Sequence, residues 1–136
     1  MSDKSFRLEI VTPQRNIFSG TVESFSAPGT AGGFQILHNH APFLTTITVG
    51  EVKLRDESGN EIHYSTNGGF VEVSNNNVTF LADTAERKDE IDVERAKAAK
   101  ARAEARLMKK EPGTDIDRAR VALARAVNRL KIADAL

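Results

Sequence analysis

Few side chains in this 136-residue chain have the type and spacing that chemistry requires. His38 and His40 stand two apart, with His63 distant and no carboxylate cluster beside them. A metal centre needs convergent ligands and a second shell of partners, so these read as loop histidines and no metal is expected. No Ser-His-Asp order, paired-carboxylate constellation or Walker-type glycine loop occurs, and no catalytic residue is expected. Gly29-Thr30-Ala31-Gly32-Gly33 is followed by no Lys-Ser/Thr and reads only as a turn signal. The chain has no cysteine, which excludes thiol nucleophiles, disulfides and cysteine zinc sites and suits a reducing compartment. The arginines carry more. Arg125 and Arg129 are spaced i,i+4, and Arg95 and Arg102 lie seven apart, so each pair shares a helix face able to converge on an anion. The alternative is a solvated, salt-bridged surface with Glu90, Asp92 and Glu94 as helical neighbours, and spacing leaves both open. Nucleic acid is not expected as a partner, because no aromatics interleave the basic residues and the formal net charge is zero.

The elements that must position these residues fall into two composition regimes. Residues 1–86 hold 5 Lys and Arg against 10 Asp and Glu; residues 87–136 hold 14 against 9. All eight Phe and Tyr residues lie in the first part, while the last fifty residues carry 12 alanines and no aromatic. Two modules are therefore expected, 1–86 and 87–136, joined near Glu86–Glu90. No run of 18 apolar residues occurs and Met1 to Lys4 show no signal-peptide pattern, so any membrane role is expected to be peripheral.

The first module reads as all-β. Phe6 to Val11 alternates apolar with polar, the period-2 mark of a half-buried strand, and Val22 to Ala27 does so roughly. Glu51–Arg55 and Glu61–Ser65 flank a turn-forming run, and so do Gly69–Val73 and Val78–Ala82 around Asn75-Asn76-Asn77. About nine short strands in some 85 residues predict two packed sheets, a β-sandwich. From Ser24 to Gly50 no Asp, Glu, Lys or Arg occurs across 27 residues, where the composition predicts about seven or eight. Pro28 to Gly33 and His38 to Pro42 are loop chemistry within it. Either this is a core hairpin with uncharged loops or it is a docking surface for another protein, since charge depletion marks interface cores.

The second module reads as an antiparallel helical hairpin. Asp89 with Asp92, and Thr114 with Asp117, approximate capping patterns for helices from Ile91 to about Lys110 and from Thr114 to about Ala133, broken by Glu111-Pro112-Gly113. The stripes Ala96, Ala99, Ala103, Leu107 and Ile116, Ala119, Leu123, Ala126, Leu130, Ala133 predict a seam made mostly of alanine. A buried methyl contributes only about 0.8 kcal/mol against roughly 1.5–3 for a leucine, so the hairpin is expected to be held weakly.

Several motifs in order resemble the epsilon subunit of bacterial F-type ATP synthase over about 120 residues. They are Val11-Thr12-Pro13, Ile36 to Pro42, Gly68 to Val73, Leu81 to Glu86 and Ile91 to Lys97. The resemblance implies a non-catalytic central-stalk subunit, peripheral on the cytoplasmic side of the cell membrane, with the gamma subunit, the c-ring and the alpha and beta subunits as partners. It implies a rotor-facing loop in the segment from Gly32 to Pro42, with Gly32, Gly33, His38, His40 and Pro42 as interface candidates. Gly33, Gln35 and His38-Asn39 depart from the family's usual residues there, and His40-Ala41-Pro42 is kept. The helices of the family extend along gamma to block ATP hydrolysis. Ile91-Asp92-x-x-Arg95-Ala96 is similar to the motif by which some members bind ATP, so the resemblance implies ATP as a regulatory ligand, with no required cofactor, held by Glu86, Ile91, Asp92, Arg95, Ala96, Arg102, Arg125 and Arg129. A stand-alone ATP sensor and a helical nucleic-acid module are the alternative readings.

Overall fold

The computed structural model describes residues 4–136; residues 1–3 of the expected first module lie outside the described residues. The chain forms two compact units, Met1–Arg87 and Lys88–Leu136. Among the described residues, the period-2 runs of the first become nine strands: β1 Phe6–Val11, β2 Asn16–Gly29, β3 Gly32–Ile36, β4 Phe43–Ile47, β5 Gly50–Asp56, β6 Glu61–Thr66, β7 Gly69–Ser74, β8 Asn77–Ala82 and β9 Ala85–Arg87. They make the expected sandwich, but its layers are hydrogen-bonded into one sheet in the order β1-β8-β7-β4-β2-β5-β6-β9, with β3 on β2 and β1 also on β2.

The shared strand is β2. Its first half pairs with β1, from Phe18 opposite Ile10 to Val22 opposite Phe6, and its second half pairs with β5 and β3. The register shifts between Val22 and Ser24, so Glu23 is an extra residue, and a bulge of this kind lets one strand bend between two layers. Alternation then puts one face of each strand inside. Leu8, Ile10, Val22, Phe25, Val52, Leu54, Val71 and Phe80 are all buried, and the rings of Phe25 and Phe80 meet at 6.0 Å.

Two readings of the sequence are corrected here. The strand expected over Val22–Ala27 is fourteen residues long, and Pro28 to Gly33 is strand rather than loop except at Thr30-Ala31. Proline gives no N–H to a ladder, yet Pro28 is tolerated because its carbonyl accepts from the Thr48 N–H at 2.9 Å and because its ring lies against Gly50. A Cβ on Gly50 would stand 2.7 Å from the Pro28 ring. The β7–β8 turn is as expected: Asn75 and Asn76 take φ of 50° and 59°, the paired left-handed conformations of a tight hairpin turn. Gly69 is required for a different reason. Its φ is 146° and a Cβ there would come within 2.1 Å of the Leu81 carbonyl oxygen.

In the second unit, α1 spans Val93–Lys109 and α2 spans Ile116–Ile132. The caps differ from expectation. Asp89 lies in a 3-10 turn over Lys88–Glu90, and Asp92 is the N-cap of α1, its carboxylate accepting from the Arg95 N–H at 3.0 Å. Asp115, not Thr114, caps α2 and accepts from the Arg118 N–H at 3.0 Å. Both aspartates have extended backbone, which aims the short side chain at the orphan amides of the first turn. The seam is alanine: Ala96, Ala103, Ala119 and Ala126 are each at most 2% exposed. Lys88 Nζ meets Asp134 Oδ2 at 2.7 Å, which joins the entry of α1 to the exit of α2.

Candidate functional site

In the sandwich, the charge-free segment divides between core and surface. Phe25, Ala27, Ile36 and Ile47 are buried, while Thr30, Ala31, Gly32, Gly33, Gln35, Leu37, Asn39, Ala41 and Pro42 are exposed. Of the expected interface residues, Gly32 and Gly33 open β3, while His38, His40 and Pro42 lie in the loop before β4. Backbone and aromatic contacts hold this display in shape. Thr30 N–H donates to the Thr46 carbonyl at 3.0 Å, and the hydroxyls of the same two residues meet at 2.6 Å. His40 packs edge-on to Phe43 at 5.6 Å and Phe43 edge-on to Phe34 at 5.2 Å, with His40 Nδ1 2.8 Å from the Ala41 carbonyl. Asn39, left-handed at φ 58°, is clasped by Asn76: its N–H donates to Asn76 Oδ1 at 2.5 Å, and Asn76 Nδ2 donates to Asn39 Oδ1 at 2.9 Å. Half-buried His40 is thus spent on loop geometry, and no group of three or more His, Asp or Glu that could hold a metal ion occurs among the described residues.

A second exposed surface had no counterpart in the sequence reading. Leu44, Phe70 and Leu81 project outward from β4, β7 and β8 and remain 66%, 50% and 55% exposed around a shallow depression bordered by Glu72 and Thr79. Phe70 pairs directly with Leu81 across the ladder. The available signal was an apolar residue at the outward positions of strands whose inward positions, Val71, Val73, Phe80 and Ala82, were already apolar. Contiguous apolar surface on the outer face of a sheet marks a place where something binds.

The expected nucleotide residues divide between the units. Glu86 lies on β9, opposite Ser65 of β6. The other seven lie on the hairpin. Ile91 is buried beside the cap, Asp92 is the cap, and Ala96 is part of the seam. Three of the motif's positions therefore also have an architectural task in starting and packing α1. Arg95, Arg102 and Arg125 are exposed and Arg129 is half-buried. For Arg95, Arg102 and Arg125 the nearby acids are paired elsewhere: Glu94 with Lys97 at 3.7 Å, Glu104 with Lys100 at 3.9 Å and Asp117 with Arg120 at 4.0 Å. Among the described residues, no carboxylate is ion-paired to Arg95, Arg102 or Arg125. Unpaired guanidinium forks on a solvated helix face retain their capacity for charge-assisted bonds to an anion such as phosphate.

No helix among the described residues is long and apolar enough to cross a membrane. Residues 5–88 match the model of a family described as ATP synthase, Delta/Epsilon chain, beta-sandwich domain, and residues 89–134 match that of the long alpha-helix domain of the same chain. The chain is 56% identical over 133 residues to the ATP synthase epsilon chain of Pelotomaculum thermopropionicum, covering 98% of each chain. It is 47% identical over 131 residues to that of Desulforamulus reducens, covering 96% of this chain and 98% of the other. Among solved structures, a chain of the Euglena gracilis mitochondrial ATP synthase (OSCP/F1/c-ring, rotational state 1) shares the fold with a TM-score of 0.69 at 20% identity, over 94% of this chain and 76% of that one. A chain of the central stalk and c-ring of the Tetrahymena thermophila mitochondrial enzyme does so at 0.60 and 14%, over 93% and 95%.

Proposed function

The chain belongs to the ATP synthase delta/epsilon chain family, as an epsilon subunit without catalysis of its own, and on that premise we propose that it couples the catalytic head to the rotor ring from the central stalk while its helices restrain ATP hydrolysis. The observation that carries the coupling reading is the exposed, charge-free display from Thr30 to Pro42, braced by the Asn39–Asn76 clasp and the His40–Phe43–Phe34 aromatic stack. A surface that is ordered, uncharged and solvent-facing in the free subunit loses little entropy and desolvates cheaply when a partner covers it. The c-ring and gamma are the partners proposed for it, and the complex holds the subunit at the cytoplasmic side of the membrane. Introducing a charge there tests the reading. Ala31→Asp and Asn39→Lys should each weaken assembly with gamma and the c-ring in a reconstitution pull-down while leaving the sandwich folded. Unchanged assembly would remove the assignment.

The hairpin supplies the regulation. Four of its buried side chains are alanines, beside Leu130 and Ile132, and a seam built mostly of methyls is weakly held, as a movable element requires. Extended, its basic second helix meets the alpha and beta subunits and inhibits; folded, it binds ATP through Ile91, Asp92, Arg95, Ala96, Arg102, Arg125 and Arg129. A ligand that binds one state stabilises it by RT ln(1 + [L]/Kd), about 2.7 kcal/mol at a hundredfold excess over Kd. That magnitude matches a few seam methyls and is enough to move the population.

A further inference from the structure

The two helices are a sequence repeat. Residues 92–107 and 115–130 align at a constant offset of 23, and nine of the sixteen positions carry the same residue, including the capping Asp92 and Asp115, the seam alanines, and Arg95/Arg118, Arg102/Arg125 and Arg106/Arg129. The structure gives the repeated caps and seam alanines matching tasks. Both aspartates cap through the amide three residues on, both at 3.0 Å, and Ala96 and Ala119, Ala103 and Ala126 are buried as pairs.

An antiparallel pair whose facing stripes are repeats of each other has a local two-fold axis normal to the plane of the helices. A residue displaced from the seam in a given rotational sense on α1 and its repeat on α2 then emerge on the same face of the hairpin. At about 100° per residue, Arg95, Arg102 and Arg106 fall within about 20° of one line, to one side of the alanine stripe. Their repeats Arg118, Arg125 and Arg129 do the same. The Lys88–Asp134 contact sets the level: Arg95 lies near Arg129 at the open end, and Arg106 near Arg118 at the turn end, with Arg102 and Arg125 between. Arg106 and Arg118 are exposed, and among the described residues neither is ion-paired to a carboxylate.

We propose that Arg106 and Arg118, sharing Arg102 and Arg125 with the open-end half, form a second site that binds an oligophosphate group. The inference rests on the nucleotide reading only in taking the open end as the first of two equivalent halves. The halves differ where the repeat stops. At the offset of 23, the counterparts of Glu86 and Ile91 are Lys109 and Thr114, so the turn end has two more cationic residues, Lys109 and Lys110, and lacks two non-arginine residues of the expected ATP set. The turn-end site therefore recognises a phosphate chain without a base, whether inorganic or the tail of a nucleotide.

Titrating the full chain with sodium tripolyphosphate, and separately with ATP, while following backbone amide NMR signals tests this. Tripolyphosphate should move the signals around Arg106 and Arg118 saturably, and the double variant Arg106→Gln/Arg118→Gln should weaken that response at least tenfold while the response near Arg95 and Arg129 persists. Each single variant serves if the double one loosens the hairpin. Equal turn-end affinities for the two ligands identify the phosphate chain as the whole determinant, and a large preference for ATP there overturns the proposal. Turn-end signals that stay still, that move equally with sulfate at matched ionic strength, or that ignore the substitutions also overturn it. Tripolyphosphate bound at the turn end with no ATP response near Asp92 would instead remove the nucleotide reading and leave this one standing.

Discussion

Replacing the two capping aspartates one at a time separates what the Asp92 motif does for folding from what it does for a ligand. Asp92 and Asp115 accept the same bond, at the same 3.0 Å, from the amide three residues on. Truncation to alanine removes that acceptor, at a cost of about 1 kcal/mol, and a first-turn acid favourable to the helix dipole, at roughly 0.3–1 kcal/mol. The geometry is equal, so the two losses should be equal. Either one exceeds the contribution of a seam methyl and should raise the opened fraction of the hairpin about fivefold or more. Amide hydrogen exchange at the buried seam residues Ala103 and Ala126 reads this directly. Both Asp92→Ala and Asp115→Ala should exchange faster by the same factor, and Asp92→Asn should recover most of that change, because asparagine keeps the capping acceptor and loses only the charge, roughly 0.3–1 kcal/mol. ATP affinity by calorimetry should then diverge. Asp115→Ala keeps near-wild-type affinity, since a mostly folded hairpin loses little binding to a modest rise in opening, and Asp92→Ala loses a contact as well. Unchanged exchange in either variant refutes the capping argument. Equal affinity losses in the two would mean that Asp92 acts on ATP only by starting a helix.

Gly69→Ala places a Cβ 2.1 Å from the Leu81 carbonyl oxygen and 2.9 Å from Ala82 Cα at a φ of 146°, a backbone collision that no rotamer relieves, so denaturant unfolding should show a loss of about 3 kcal/mol or more. Asp56 titrates below its ordinary value of 3.8 because the Asn60 amide, the Asn60 side chain and the Ser58 and Gly59 amides donate to its carboxylate, against a smaller opposing effect of burial. A depressed folded pKa means the β5–β6 turn keeps its full stabilisation above the ordinary aspartate value and loses it as pH falls through the folded one, so the Asn60 amide NMR signal should move only in acid and hold still in Asp56→Ala. Deleting residues 88–136 should leave a cooperatively melting sandwich by circular dichroism, because its core from Phe6 to Ala85 is complete without them, and ATP hydrolysis by the assembled enzyme should rise or stay level.

Local chemistry made much of this protein legible in one dimension. Period-2 alternation in Phe6–Val11, the asparagines of the β7–β8 turn and the alanine stripes each act over a few residues, and a rule that acts locally can be read from a string. The missing charge between Ser24 and Gly50 was equally visible, as was the arginine spacing, because both depend only on residue type and helical period. The failures share one cause. Pro28 belongs to a strand because Thr48 and Gly50, twenty or more residues on, accept its geometry. The two layers are one sheet because a bulge at Glu23 turns β2 from β1 toward β5. Leu44, Phe70 and Leu81 form a surface only once three separate strands are laid side by side. Whether a given arginine was neutralised depended on which basic residue each acid chose. Helical spacing allowed several partners, and only the folded arrangement gave Glu94, Glu104 and Asp117 to Lys97, Lys100 and Arg120, leaving Arg95, Arg102, Arg106, Arg118 and Arg125 with no carboxylate ion pair among the described residues.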